Sequence, residues 1–140
     1  MIFLVTCWEE ATLLWWTLRK LTAGNTEARQ RAAQELGSSQ DPRAVGALLE
    51  AIVDADSLVR QAAARALGGI GNTRAIEPLA LALKDDEVGV RRCAAEALGE
   101  MPDDRATEAL MAALADTDTG VRAPAERILP RTRREWRASD

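Results

Sequence analysis

The sequence contains no histidine. That removes the side chain that most often acts as general base or metal ligand near neutral pH, and with it every Ser-His or Cys-His mechanism. No activity of that kind is expected, and neither a cofactor nor a metal. Tyrosine is absent and phenylalanine occurs once, while alanine and leucine are frequent. That mix favours helices with close, small-residue contacts over strands. Cysteine is confined to Cys7 and Cys93. The two match no metal spacing and suggest no disulfide framework, which fits a reducing, cytoplasmic compartment. Positive charge does not predominate either. The net charge is −4, and a general polyanion binder is usually basic, so nucleic acid is not an expected partner.

A long apolar run is also missing. Met1 to Trp8 is nearly all apolar, but the run stops at Glu9-Glu10, too short to span a bilayer. It has no basic start of the kind a signal peptide carries. Leu4-Val5-Thr6-Cys7 has the outline of a lipoprotein cleavage site, with Thr6 where a smaller residue is wanted, and lipidation is not expected. What remains is a chain of 140 residues, 47% hydrophobic, enough for a domain with its own core.

The main signal is a period of 31 residues. Val59-Arg60, Val90-Arg91 and Val121-Arg122 fall in register, and Ala28-Arg29 precedes them by the same step. Leu36, Leu67, Leu98 and Leu129 repeat it, followed by Gly37, Gly68, Gly99 and then Pro130. Arg43, Arg74 and Arg105 form an independent set, as do Asp54, Asp85 and Asp116. Each unit reads as two helices, A and B. Helix A opens at a capping residue, Asp41, Asn72 or Asp103, and Pro42 suits a first helical position. Val45, Leu48, Leu49 and Ile52 then follow helical spacing. Ile76, Leu79, Ala80 and Leu83 repeat the pattern, as do Thr107, Leu110, Met111 and Leu114 with one polar exception. Helix B buries Val59, Ala63, Ala66 and Leu67 in one copy and Val90, Ala94, Ala97 and Leu98 in the next. Gly68, Gly71 and Gly99 suit helix ends. A single pair cannot bury its stripe, whereas stacked pairs share a continuous core. The expected fold is all-α, with four pairs at 9–37, 41–69, 73–99 and 104–129. Residues 1–8 form an apolar segment before this 9–129 solenoid, and 130–140 a polar, basic tail after it.

The runs Asp41-Pro-Arg-Ala-Val, Val59-Arg-Gln-Ala-Ala-Ala-Arg-Ala-Leu-Gly and Thr73-Arg-Ala-Ile-Glu-Pro-Leu resemble the HEAT-like repeats named after phycobiliprotein lyases. The resemblance covers roughly residues 26–129 and implies a right-handed α-α superhelix with the B helices on its concave side. It implies little about function, because such repeats serve many scaffolds. Deoxyhypusine hydroxylases carry similar repeats with paired His-Glu iron ligands, which a chain without histidine cannot supply. The resemblance keeps one enzymatic alternative open, a bilin lyase or lyase subunit acting on phycobiliproteins.

Four groups of residues invite a functional reading. The repeated Arg29, Arg60, Arg91 and Arg122 match the spacing of Asp54, Asp85 and Asp116. An internal ladder of ion pairs is therefore expected before a basic binding stripe. On helix B, Gln30, Arg31, Gln34, Gln61, Arg65, Arg92, Cys93, Glu96 and Arg127 occupy positions that change between copies beside the buried stripe. They are the expected partner-binding face, and their mixed signs suit a protein partner. Trp15 and Trp16 align with Gly46 and Ala47 on the outer face of helix A, while Leu14, Leu18 and Leu21 align with core positions. Two readings stand open there. Either residues 1–8 fold back as a cap over the tryptophans, or the pair is an interface, including one with a second copy. The nearby Glu9-Glu10 weighs against a membrane surface. Finally, Pro124 falls inside the last helix B, which is expected to start late or bend, and Pro130 is expected to end it. The tail, with Trp136 among four arginines, is expected to fray.

Overall fold

Capping and helical spacing act where the sequence places them. In the computed structural model, which describes the backbone of residues 2–138 and the side chains of residues 11–128, eight α-helices follow one another. They are α1 (Ile2–Ala23), α2 (Thr26–Ser39), α3 (Val45–Ala51), α4 (Ser57–Ile70), α5 (Ile76–Ala82), α6 (Val88–Glu100), α7 (Asp104–Met111) and α8 (Thr119–Ala138). Single 3₁₀ turns lead into α3 and α5, and another follows α7. The carboxylate or amide oxygens of Asp41, Asn72 and Asp103 accept the backbone N–H of Arg43, Arg74 and Arg105 at 2.9, 3.0 and 2.9 Å. They satisfy donors that a first turn leaves unpaired.

Odd-numbered helices are the A helices and even-numbered ones the B helices. The core runs between them through Leu36, Leu48, Leu67, Leu79, Leu98 and Leu110, all fully buried. Leu21 joins it, with Leu14 and Leu18 packed alongside. Met111 departs from its expected place and is exposed.

Two glycines set the spacing of the B helices. A Cβ on Gly37 would stand 2.7 Å from the Cβ and 2.8 Å from the Cα of Ala66. A Cβ on Gly68 would meet Ala97 at the same distances. Of the three glycines assigned to helix ends, Gly71 caps α4 with φ +71° and Gly99 is next to last in α6, whereas Gly68 faces the neighbouring helix. Successive B helices touch extensively and successive A helices touch little. Closer spacing on one side curves the stack, and the B helices line the inner side.

The arginine ladder is present. Arg60 donates from Nε and Nη2 to Asp85 at 2.9 and 3.1 Å. Its Nη1 donates to the carbonyls of Asp54 and Ala55 at 2.8 and 3.1 Å. Arg29 holds Asp54, and Arg91 holds Asp116, through Nε at 2.9 and 2.8 Å. Each arginine thus ties the interhelical turn of its own unit to the aspartate of the next. The pairs are largely shielded from water. Burial opposes the charge on Asp54, but the Arg29 guanidinium and the Asp56 backbone N–H outweigh it and hold the carboxyl below its usual range. Arg122 grips the carbonyls of Asp116 and Thr117 at 2.9 and 3.0 Å, and its Nε lies 3.5 Å from Glu126.

Three boundaries differ from expectation. Residues 2–8 continue α1 as helix and do not fold back as a separate cap, because nothing in that stretch breaks a helix. Helix α8 starts at Thr119, continues through Pro124 and Pro130, and extends to Ala138. The segment 130–140 is therefore helical as far as Ala138; the side chain of Trp136 lies outside the described residues. Pro124 is buried, and a Cβ on Gly99 would stand 3.3 Å from its own Cβ. The fourth B helix thus approaches less closely than the others.

Gly68→Ala should lower unfolding free energy by about 1–3 kcal/mol, because the clash is with backbone. Gly69→Ala, with nothing within 4 Å, should raise it by about 0.5–1 kcal/mol. Urea denaturation measures both, and equal effects would contradict the spacing argument. Arg60→Ala should lose about 2–3 kcal/mol, since it leaves Asp85 unpaired. Arg122→Ala should lose roughly 1 kcal/mol, since its acidic neighbour Glu126 is exposed to water; the difference in denaturation midpoint checks the ladder.

Candidate protein-docking face

Small residues on the inner side of the B helices leave room above them. Between α2 and α4 this space forms an open groove of about 310 Å³. Its floor is Ala62 and Ala66, both buried, and its rim is Gln30, Gln34, Ser38, Gln61 and Arg65. Leu58 stands at the mouth, 48% exposed. An apolar floor with amide, hydroxyl and guanidinium groups around it can seat an apolar side chain while pairing neighbouring polar groups.

The next gaps along the stack are filled differently. Gly89 and Gly120 hold the position of Leu58 in the following units. The Gln61 side chain lies against Gly89, where a Cβ would meet it at 2.6 Å. Arg92 lies against Gly120 in the same way. Arg92 then donates to both carboxylate oxygens of Asp118, from Nε at 2.8 Å and Nη2 at 2.7 Å. The groove is thus confined to the first two units, because a leucine stands where glycine would admit a covering side chain.

The nine expected face residues do not all share one surface. Gln30, Gln34, Gln61 and Arg65 converge on the groove. Arg31, Glu96 and Arg127 are exposed but do not line it. Arg92 belongs to the Asp118 pair. Cys93 is buried in the register of Ala62, and its side chain does not line the groove. Burial pushes its thiol up in pKa, with Arg65 pulling the other way. Leu58 and Ser38 were not singled out by sequence reasoning. The break in the Leu58-Gly89-Gly120 register was the signal for the first; Ser38 had none.

Trp15 and Trp16 are 54% and 56% exposed. Their rings meet edge to face with centroids 5.5 Å apart, and the Arg19 guanidinium stands 5.3 Å from the Trp15 centroid. Leu13 and Leu14 line a second groove of about 470 Å³ with Thr17, Glu35, Leu36 and Ser39. Among the described residues no cluster has three groups able to hold a metal ion, and no helix is long and apolar enough to cross a membrane.

Asp118 carries the sharpest electrostatic signature of the inner face. The Arg92 hydrogen bonds, together with the backbone N–H groups of Val121 and Gly120, lower its pKa from 3.8 to about 2. A carboxyl depressed in the folded state stabilises the fold fully above its unfolded value and loses that contribution as pH falls through the folded one. NMR titration of the Asp118 carboxyl should show a midpoint near 2 that moves toward 3.8 in Arg92→Ala. An unchanged midpoint would remove Arg92 as the cause.

Comparison with known proteins agrees with this geometry. A crystal structure of an engineered protein from the Northeast Structural Genomics Consortium superposes with a TM-score of 0.66 at 26% identity. The match covers 83% of this chain, which spans 60% of the length of that one. No curated protein matches the sequence. The family described as HEAT repeats matches residues 15–92 and, overlapping them, 54–129. With capped helix pairs stacked at a regular step and a matching family profile across most of its length, the chain belongs to the HEAT-repeat family.

Proposed function

We propose that this chain is a non-enzymatic docking module that holds a segment of a partner protein against the inner face of α2 and α4. The observation that carries the reading is the groove itself, with Ala62 and Ala66 beneath and Gln30, Gln34, Gln61 and Arg65 around it. Membership of a repeat family whose stacked helices present extended surface supports it. The mixed charges of Arg31, Arg65, Glu96 and Arg127 and the net charge of −4 favour a protein over a nucleic acid. Lack of histidine supports a role without proton-transfer chemistry. The use of cysteine suits a cytoplasmic setting. The chromophore-lyase alternative rests on the sequence resemblance alone.

A photoreactive residue placed at Gln34 or Gln61 should capture a partner in cells, and Arg65→Glu should reduce that capture at least tenfold, a change of about 1.4 kcal/mol. The same probe at Leu81, exposed on α5, should capture little of it. Equal adducts from Leu81 would sink the groove as the docking site. Incubation with phycobiliprotein subunits and free bilin tests the alternative, and a covalent pigment adduct would replace the docking reading.

A further inference from the structure

The groove between α2 and α4 has one charged residue in its lining, Arg65. Arg29, Arg60, Arg91 and Arg92 each hold an aspartate across the stack. Arg65 is exposed and makes no ion pair among the described residues. Its guanidinium meets the thiol of Cys93, a weak acceptor that leaves most of its N–H donors unspent. The amides of Gln30, Gln34 and Gln61 make no hydrogen bond among the described residues either. The groove thus joins an apolar floor, an unspent cation and a rim of groups that both donate and accept.

These features select among occupants. A carboxylate beside Arg65 completes a guanidinium pair of the kind the ladder already uses. Charge also fixes where that carboxylate lies. Glu96 holds the position of Arg65 in the next unit and is exposed, so an acid shifted one helix along meets repulsion. The rim amides favour a chain whose backbone N–H and C=O groups are unspent, as they are in an extended segment and not in a helix. A helix with its side chains is also ~10–12 Å across, whereas the walls of the groove are B helices pressed together at Gly37 and Ala66. Spacing follows from the same walls. Leu58 and Ala62 form the apolar end, and their midpoint lies five residues before Arg65 on α4. That is about 7.5 Å along the helix axis. Side chains two apart in an extended segment share a face and stand ~6.6 Å apart.

We propose that the segment seated in the groove is extended and acidic, with an Asp or Glu against Arg65 and an apolar residue two positions away against Leu58 and Ala62. This rests on the docking reading of the groove and narrows it to one chemistry of partner. Panning a random peptide display library on the full chain tests it. Recovered peptides should carry an acid two positions from an apolar residue. The tightest of them should bind Arg65→Glu at least tenfold more weakly, and exchanging its acid for lysine should restore binding to that variant. Gln34→Trp, on the exposed rim, should block the groove and abolish binding to the full chain. Circular dichroism confirms that both variants keep their helix content, so lost binding is not a lost fold. Peptides without the acid would overturn the acidic chemistry and keep the docking reading, as would peptides that Gln34→Trp excludes and Arg65→Glu leaves unaffected. Peptides indifferent to both substitutions would overturn the docking reading itself. A library that yields no binder would overturn both, as would a chain that sediments at twice its 15.2 kDa mass with the groove closed to peptides.

Discussion

How closely one B helix can approach the next governs the rest of this molecule. Where Gly37 faces Ala66 and Gly68 faces Ala97, backbone meets backbone with no space for a further carbon. Such contact is open only to the smallest side chains, and it fixes both distance and direction. Curvature follows, because the A helices stand further apart. The ladder follows as well. A guanidinium reaches the next unit's aspartate at 2.8–2.9 Å only while the helices keep that step. A hydrogen bond lengthened past about 3.5 Å is no longer one. Packing and electrostatics therefore enforce the same geometry.

The last unit shows what happens when the constraint is relaxed. Ile128 stands where Ala66 and Ala97 stand in earlier copies, and Pro124 stands one step after Cys93. An isoleucine cannot sit against the backbone of Gly99 as alanine sits against Gly68, so α8 is held off by side chains at 3.3 and 3.9 Å. Pro124 also removes the N–H that would bond the carbonyl of Gly120, which weakens an interior helical turn. Arg122 keeps its backbone contacts and has Glu126 in place of a ladder aspartate. The repeat is regular where glycine and alanine meet and irregular where they do not.

The same contact explains which features could be read from sequence. Caps at Asp41, Asn72 and Asp103, and the Arg60-to-Asp85 pairing, depend on residue type and a fixed step, and both are visible in one dimension. The role of Gly37 and Gly68 is not. A glycine near a helix end and a glycine pressed against a neighbouring helix look alike until the neighbour is placed. The burial of Cys93 is hidden for the same reason: helical periodicity puts it beside the buried stripe, and only the folded stack shows that it is covered. The extents of α1 and α8 were misread because residues 2–8 hold no proline or glycine to stop a helix that starts beyond them, and arginine is a good helix former. Their composition suggested a cap and a tail.

The inner groove exists because Leu58 replaces the glycine that elsewhere admits a covering side chain, and the ladder holds its walls. A preformed groove of this kind loses little conformational freedom when it is filled, so modest contacts suffice for specific binding. Those walls stay in place because Gly37 presses on Ala66, so the contact that sets the curvature of the stack also sets the width of the groove.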